Sequence, residues 1–163
     1  MPVSRLPSLV SVAILVILVV VLVTTGDDEQ TTSEARITRV VDGDTVEASI
    51  DGRTEDVRYI GVDTPESVKP DTPVQCYALP ASHFNERLVE GKTVRLEYDA
   101  ERRDVYGRLL AYVYLGDRFV NAELVRRGFA RTLTIPPNTR FADRFARLER
   151  DASDDERGLW GRC

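Results

Sequence analysis

After one long apolar run, the chain settles into short segments in which apolar and polar residues alternate. Leu6–Gly26 carries no charge, and Val12–Val23 within it is wholly apolar. Arg5 precedes the run, while Asp27, Asp28 and Glu29 come directly after it. Its length falls between the roughly 7–15 residues of a secretory h-region and the roughly 20 of a spanning helix. No Ala-x-Ala cleavage site is present at its end, which favours a retained hydrophobic anchor helix over a cleaved signal peptide within residues 1–26. The basic flank predicts that the remainder of the chain faces outward. Residues 27–35, rich in Thr, Asp and Glu, read as a solvated linker ahead of a domain over 36–163.

From there the period is two. Strands are expected over 37–41, 45–50 and 54–62, separated by Asp42-Gly43 and Asp51-Gly52, a signature of tight hairpin turns. Residues 67–77, with Pro70 and Pro73, read as a loop. A helix over 80–90 presents Ala81, Phe84 and Leu88 on one face and stops at Gly91. Val94, Leu96 and Tyr98 alternate along a strand at 93–98, and a further strand at 108–115 comes after a polar turn. Asn121 stands where it would cap a short helix over 122–127. A last helix over 139–156 repeats Phe141, Phe145, Leu148 and Ala152 at helical spacing, and Trp160 is expected to pack on the barrel. The pattern predicts an α+β fold: a five-stranded OB-type β-barrel with about three packed helices, closed so that no strand edge is left open.

Composition adds two constraints. The 163 residues suffice for one domain. Net charge is −5, with 22 basic against 27 acidic side chains, and Lys69 and Lys92 are the only lysines. A polyanion would therefore be held by a local patch of arginines, since the surface as a whole repels it. Cys76 and Cys163 are the only cysteines. Exported to an oxidising compartment, they are expected to form a disulfide.

The chemistry gathers around one hairpin. Asp42, Asp44, Asp63 and Glu66 are carboxylates, and oxygen-rich sets suit a hard cation such as Ca²⁺. Asp44 and Asp63, placed side by side, would repel unless a cation lay between them. Thr64 precedes Pro65, so its backbone is extended and its carbonyl is a further candidate ligand. Asp42 is a partner behind that set or simply a turn residue. Glu66 sits where it would take a proton from water. Arg58, expected to share a strand face with Ile60 and Val62, and Arg108 in a later turn suit a phosphate, with the Tyr106 hydroxyl beside them. Each residue alone has an ordinary explanation as a turn aspartate, a salt bridge or a solvated acid. His83 falls in a helix and carries no chemistry.

Three motifs in order, Asp42-Gly-Asp44-Thr, Arg58-x-x-x-x-Asp63-Thr-Pro-Glu66 and Asp104-x-Tyr106-Gly-Arg108-x-Leu-Ala-Tyr112, resemble the thermonuclease (staphylococcal-nuclease-like) family over about residues 36–160. The resemblance implies an OB-type barrel and Ca²⁺-dependent cleavage of DNA and/or RNA by a monomer that leaves 3′-phosphates. It implies Asp44, Asp63 and the Thr64 carbonyl as calcium ligands, Glu66 as general base, Arg58 and Arg108 as phosphate-binding arginines, and Tyr106 as a phosphate contact. Two departures stand out. Val105 replaces the lysine that the family's best-known member carries before Tyr-Gly-Arg, and Thr132-Leu-Thr-Ile-Pro-Pro137 lacks the base-stacking tyrosines. Each missing stack removes about 1–3 kcal/mol of strand affinity. The rival expectation is a non-catalytic OB-type nucleic-acid-binding module.

Overall fold

The computed structural model describes residues 31–68 and 71–163, so the apolar N-terminal run and its proposed anchor lie outside the described residues. Five strands close on themselves: β1 (Thr32–Val40), β2 (Thr45–Ile50), β3 (Arg53–Tyr59), β5 (Thr93–Glu97) and β6 (Leu109–Leu115). Their order is β3-β2-β1-β5-β6, and β6 returns to pair with β3 in parallel, completing the barrel. Alternation dictates this. Ala35 and Ile37, Val46 and Ala48, Val57 and Tyr59, and Val94 and Leu96 all point into a shared core, while the residues between them face outward.

Around the barrel lie α1 (Ala78–Val89), α2 (Val120–Arg126), α3 (Ala142–Asp154) and the single turn α4 (Leu159–Arg162). A two-residue strand, β7 (Arg118–Phe119), folds back to pair antiparallel with the end of β6. Phe145 of α3 is buried against Tyr112 and Phe119, so the last helix seals one side of the core. Cys76 and Cys163 form the expected disulfide, with Cα atoms 5.9 Å apart.

Beyond shifts of one to three residues at other element ends, three differences from the sequence expectation stand out. First, β1 starts at Thr32, not 37, because Thr32–Arg36 pair with β5; the segment expected as linker supplies half a strand. Second, the expected strand over 54–62 breaks after Tyr59. Gly61 adopts φ 79°, and its α-hydrogen faces Phe145, whose ring would lie 2.4 Å from any Cβ. The chain turns there, and β4 (Gly61–Asp63) leaves the barrel to pair with β8 (Arg131–Leu133). Third, Asn121 lies inside α2, not at its cap, and is fully buried. Its amide accepts from Val113 N–H at 2.9 Å and donates to the carbonyls of Ile60 at 2.9 Å and Ala111 at 3.4 Å. Trp160 lies outside the barrel core, beneath the guanidinium of Arg131.

Candidate active site

The break at Gly61 places the site. Because the backbone doubles back after Tyr59, Arg58 reaches the strand beyond it. One guanidinium nitrogen donates to the Val62 carbonyl at 2.9 Å, and another to Asp63 Oδ1 at 2.9 Å. The first also meets Asp44 Oδ1 at 2.9 Å. Arg58 is only 15% exposed and bridges a buried carboxylate beyond the Asp42-Gly43 turn and a solvent-facing one at the end of β4. The sequence expectation that Arg58 shares a continuous face with Ile60 and Val62 fails, since the strand ends between them.

Asp44 is held from the other side by Thr64. The Thr64 N–H and Oγ1 donate to Asp44 Oδ2 at 2.6 and 3.0 Å. Gly43 permits this approach, because a Cβ there would lie 2.6–2.7 Å from the Thr64 side chain. Asp42 serves the turn: its Oδ1 accepts from Asp44 N–H at 3.0 Å, and its carbonyl accepts from Asn85 Nδ2 at 3.3 Å. Burial pushes the Asp44 carboxyl up to about 7; Arg58 opposes that rise and the charge of Asp42 adds to it.

That raised value tests whether the donors suit a cation. Asp44 is desolvated and still short of positive charge with Arg58 beside it, which is the condition a hard cation relieves. Among the described residues no three His, Cys, Asp or Glu side chains converge on one point. The two carboxylates that do meet, Asp44 and Asp63, do so at the guanidinium of Arg58. Asp63 is 54% exposed, so that side opens to solvent.

Arg108 is positioned differently. Asp104 Oδ1 accepts from the N–H groups of Tyr106 and Arg108, and its Oδ2 takes Arg108 Nε at 2.8 Å and a second guanidinium nitrogen at 2.7 Å. Arg58, Arg108 and Tyr106 line one cleft of about 330 Å³. Tyr106 is 82% exposed there, and Val105, Leu133 and Ile135 supply an aliphatic wall. Glu66 lies outside the cleft lining, half-buried, with its carboxylate accepting from Val68 N–H at 2.8 Å. The fold thus brings Arg58, Asp44, Asp63 and Thr64 together, joins Arg108 and Tyr106 to them through the cleft, and leaves Glu66 on the adjoining loop.

A family described as staphylococcal nuclease homologue matches residues 56–162. The chain belongs to this family. A thermonuclease of Staphylococcus intermedius is 40% identical over 159 residues, covering 94% of this chain and 95% of that protein. A thermonuclease of Staphylococcus hyicus is 43% identical over 125 residues, or 77% and 74% of the two chains. Endonuclease YncB of Bacillus subtilis is 41% identical over 128 residues, or 77% and 61%.

Within this family frame, several positioning residues escape sequence reasoning. Asn85 of α1 ties Tyr59 Oη at 3.1 Å to the Asp42 turn. Its signal is a polar residue on the Ala81–Leu88 apolar face. Asn138 clamps the loop before Arg108 by exchanging two bonds with the Glu101 backbone, at 2.7 and 2.8 Å. Asp104 opens the third sequence motif, but its clamp on Arg108 is visible only in the fold.

Proposed function

We propose that this chain is a calcium-dependent nuclease that hydrolyses phosphodiester bonds of DNA and/or RNA and leaves 3′-phosphates. The observation that carries the reading is Arg58. It lines the cleft shared with Arg108 and also touches both carboxylates of the candidate cation site. Asp44, Asp63 and the Thr64 carbonyl hold the cation. Bound there, a divalent ion supplies Lewis-acid polarisation and compensates charge on a phosphoryl oxygen.

The chain's own groups do the rest. Arg58 and Arg108 present planar donor forks that match phosphate oxygens and stabilise charge gathering on them in the transition state. Asp104 fixes the plane of Arg108, which reduces the ordering required when substrate arrives. Glu66 takes the proton of the attacking water from the loop beyond Asp63. The names of the thermonuclease and endonuclease relatives support cleavage of nucleic acid. In the same reading the N-terminal apolar run exports or anchors the domain on the outer side of the membrane. The disulfide suits that compartment.

The test is degradation of plasmid DNA and of RNA with Ca²⁺, repeated with chelator. Wild type cuts only with the ion, and Glu66→Gln or Arg108→Ala lowers turnover by orders of magnitude with the fold intact. Binding without cleavage would select the OB-type binding module instead, and near-normal turnover in either variant would remove these roles.

A further inference from the structure

A second open cleft, of about 500 Å³, lies on the other side of the loop that carries Arg108. Its lining includes Arg53, Arg102 and Arg103, with Asp51 and Glu55 as the acids that face it. The two clefts share a wall. Along that loop Glu101 and Asp104 line the first cleft, while Arg102 and Arg103 line the second. At the start of β6, Leu109 faces the second cleft and Arg108 and Leu110 the first.

The three arginines are not equivalent. Arg103 is committed: its guanidinium holds both Glu55 oxygens at 2.9 and 3.0 Å and donates to the Gly107 carbonyl at 2.6 Å, bracing the loop. Among the described residues Arg53 and Arg102 enter no salt bridge. The Arg102 guanidinium carbon lies over the Tyr98 ring, 4.2 Å from its centre, and Arg53 stands exposed at the start of β3. Glu55 is paired with Arg103 and also feels the charge of Arg53, so Arg53 and Arg102, both outside any salt bridge, face one turn aspartate and a glutamate that already has its partner. On a chain of net charge −5, such a patch is a local attraction for a polyanion.

We propose that the second cleft binds the phosphodiester backbone of the same polynucleotide outside the cleavage point, with Arg53 and Arg102 as its phosphate contacts. The inference rests on the nuclease reading above. It gives the chain a grip that compensates for Val105 and for the aliphatic wall at Leu133 and Ile135. Substrate length is then read beyond the scissile phosphate. A single-stranded oligonucleotide long enough to fill an OB-sized site, about 4–16 nucleotides, uses both clefts, whereas a dinucleotide uses one.

The experiment is fluorescence anisotropy of a labelled single-stranded oligonucleotide of about ten nucleotides, titrated in chelator across a salt series. For the Arg53→Ala/Arg102→Ala double variant, affinity at low salt falls roughly three- to tenfold, and the log–log salt slope becomes shallower by about 0.7 per lost contact. The preference for the long oligonucleotide over a labelled dinucleotide narrows. Arg53→Lys/Arg102→Lys retains the wild-type slope, which separates lost charge from damaged folding. An alanine variant with the wild-type slope and length preference, from a wild type that binds and cuts, overturns the second cleft and leaves the nuclease reading standing. A wild type that neither binds nor cuts nucleic acid overturns both.

Discussion

Two Asp-Gly pairs close the two ends of β2, and the same dipeptide does different work at each. At Asp51-Gly52 both residues take positive φ, 50° and 77°, and the pairing runs unbroken into Ile50–Arg53 across the turn. That is a two-residue hairpin of the I′ kind, and nothing lies within 4 Å of a Cβ placed on Gly52. At Asp42-Gly43 neither φ is positive, and Gly43 is required for its missing side chain, because Thr64 fills that space. One turn satisfies only its own backbone. The other couples its backbone to a segment twenty residues away and places Asp44 in the site.

The difference between the two turns is tested most severely at Asp44. Asp44→Asn lowers nuclease turnover by orders of magnitude, yet in chelator near pH 8 it is at least as stable as the parent, since a desolvated charge has been removed. Urea melts alongside the cleavage assay check both halves. Gly43→Ala comes next: it pushes Thr64 away, costs about 1–3 kcal/mol, and lowers turnover with it.

The pH dependence derives from the raised Asp44 value of about 7 against about 3.9 unfolded. Between those values the folded state holds the extra proton, so stability in chelator is lost as pH rises through about 7, by up to about 1.4 kcal/mol per pH unit. The glutamates lowered by arginine partners, Glu47, Glu55 and Glu123, act in the opposite sense only near and below their ordinary range, so the window above about pH 5 isolates Asp44. Thermal melts from about pH 5 to 8 show the decline. Added Ca²⁺ or Asp44→Asn flattens it. The smallest effects belong to the other turn. Gly52→Ala costs about 1–2 kcal/mol through its left-handed φ and leaves the nuclease rate unchanged. Asp51→Asn shifts stability by less than about 0.5 kcal/mol.

The same contrast separates what is legible in the sequence from what is not. Barrel strands announce themselves by strict alternation, and β2 matches its expected span to the residue. Both turns read as turns, yet composition alone gives no sign that Gly43 faces Thr64, because that contact joins segments far apart in sequence. The same limit hides the break at Gly61. Val57 and Tyr59 carry the inward phase of β3 and Ile60 and Val62 fall out of it, but it is the ring of Phe145, brought in by the last helix, that shows why the chain must leave there. Asp44, Asp63 and Arg58 stand out as a group by their order, but the bridging of the two aspartates by Arg58 depends on that break. Asn121 misleads for the opposite reason. Its residue type favours a helix cap, and tertiary structure uses its amide to join three backbone groups instead.

Two long-range pairings, β1 with β5 and the parallel seam of β3 with β6, separate what the molecule can form locally from what it must close at a distance. β1, β2 and β3 succeed one another through short turns and can meet early, whereas Val57 and Leu109, partners across the seam, lie about fifty residues apart. Closing so long a loop carries an entropic cost that local hairpins avoid. Arg58 therefore arrives with the early meander and Arg108 with the closing strand, so the cleft between them becomes complete only when the barrel does.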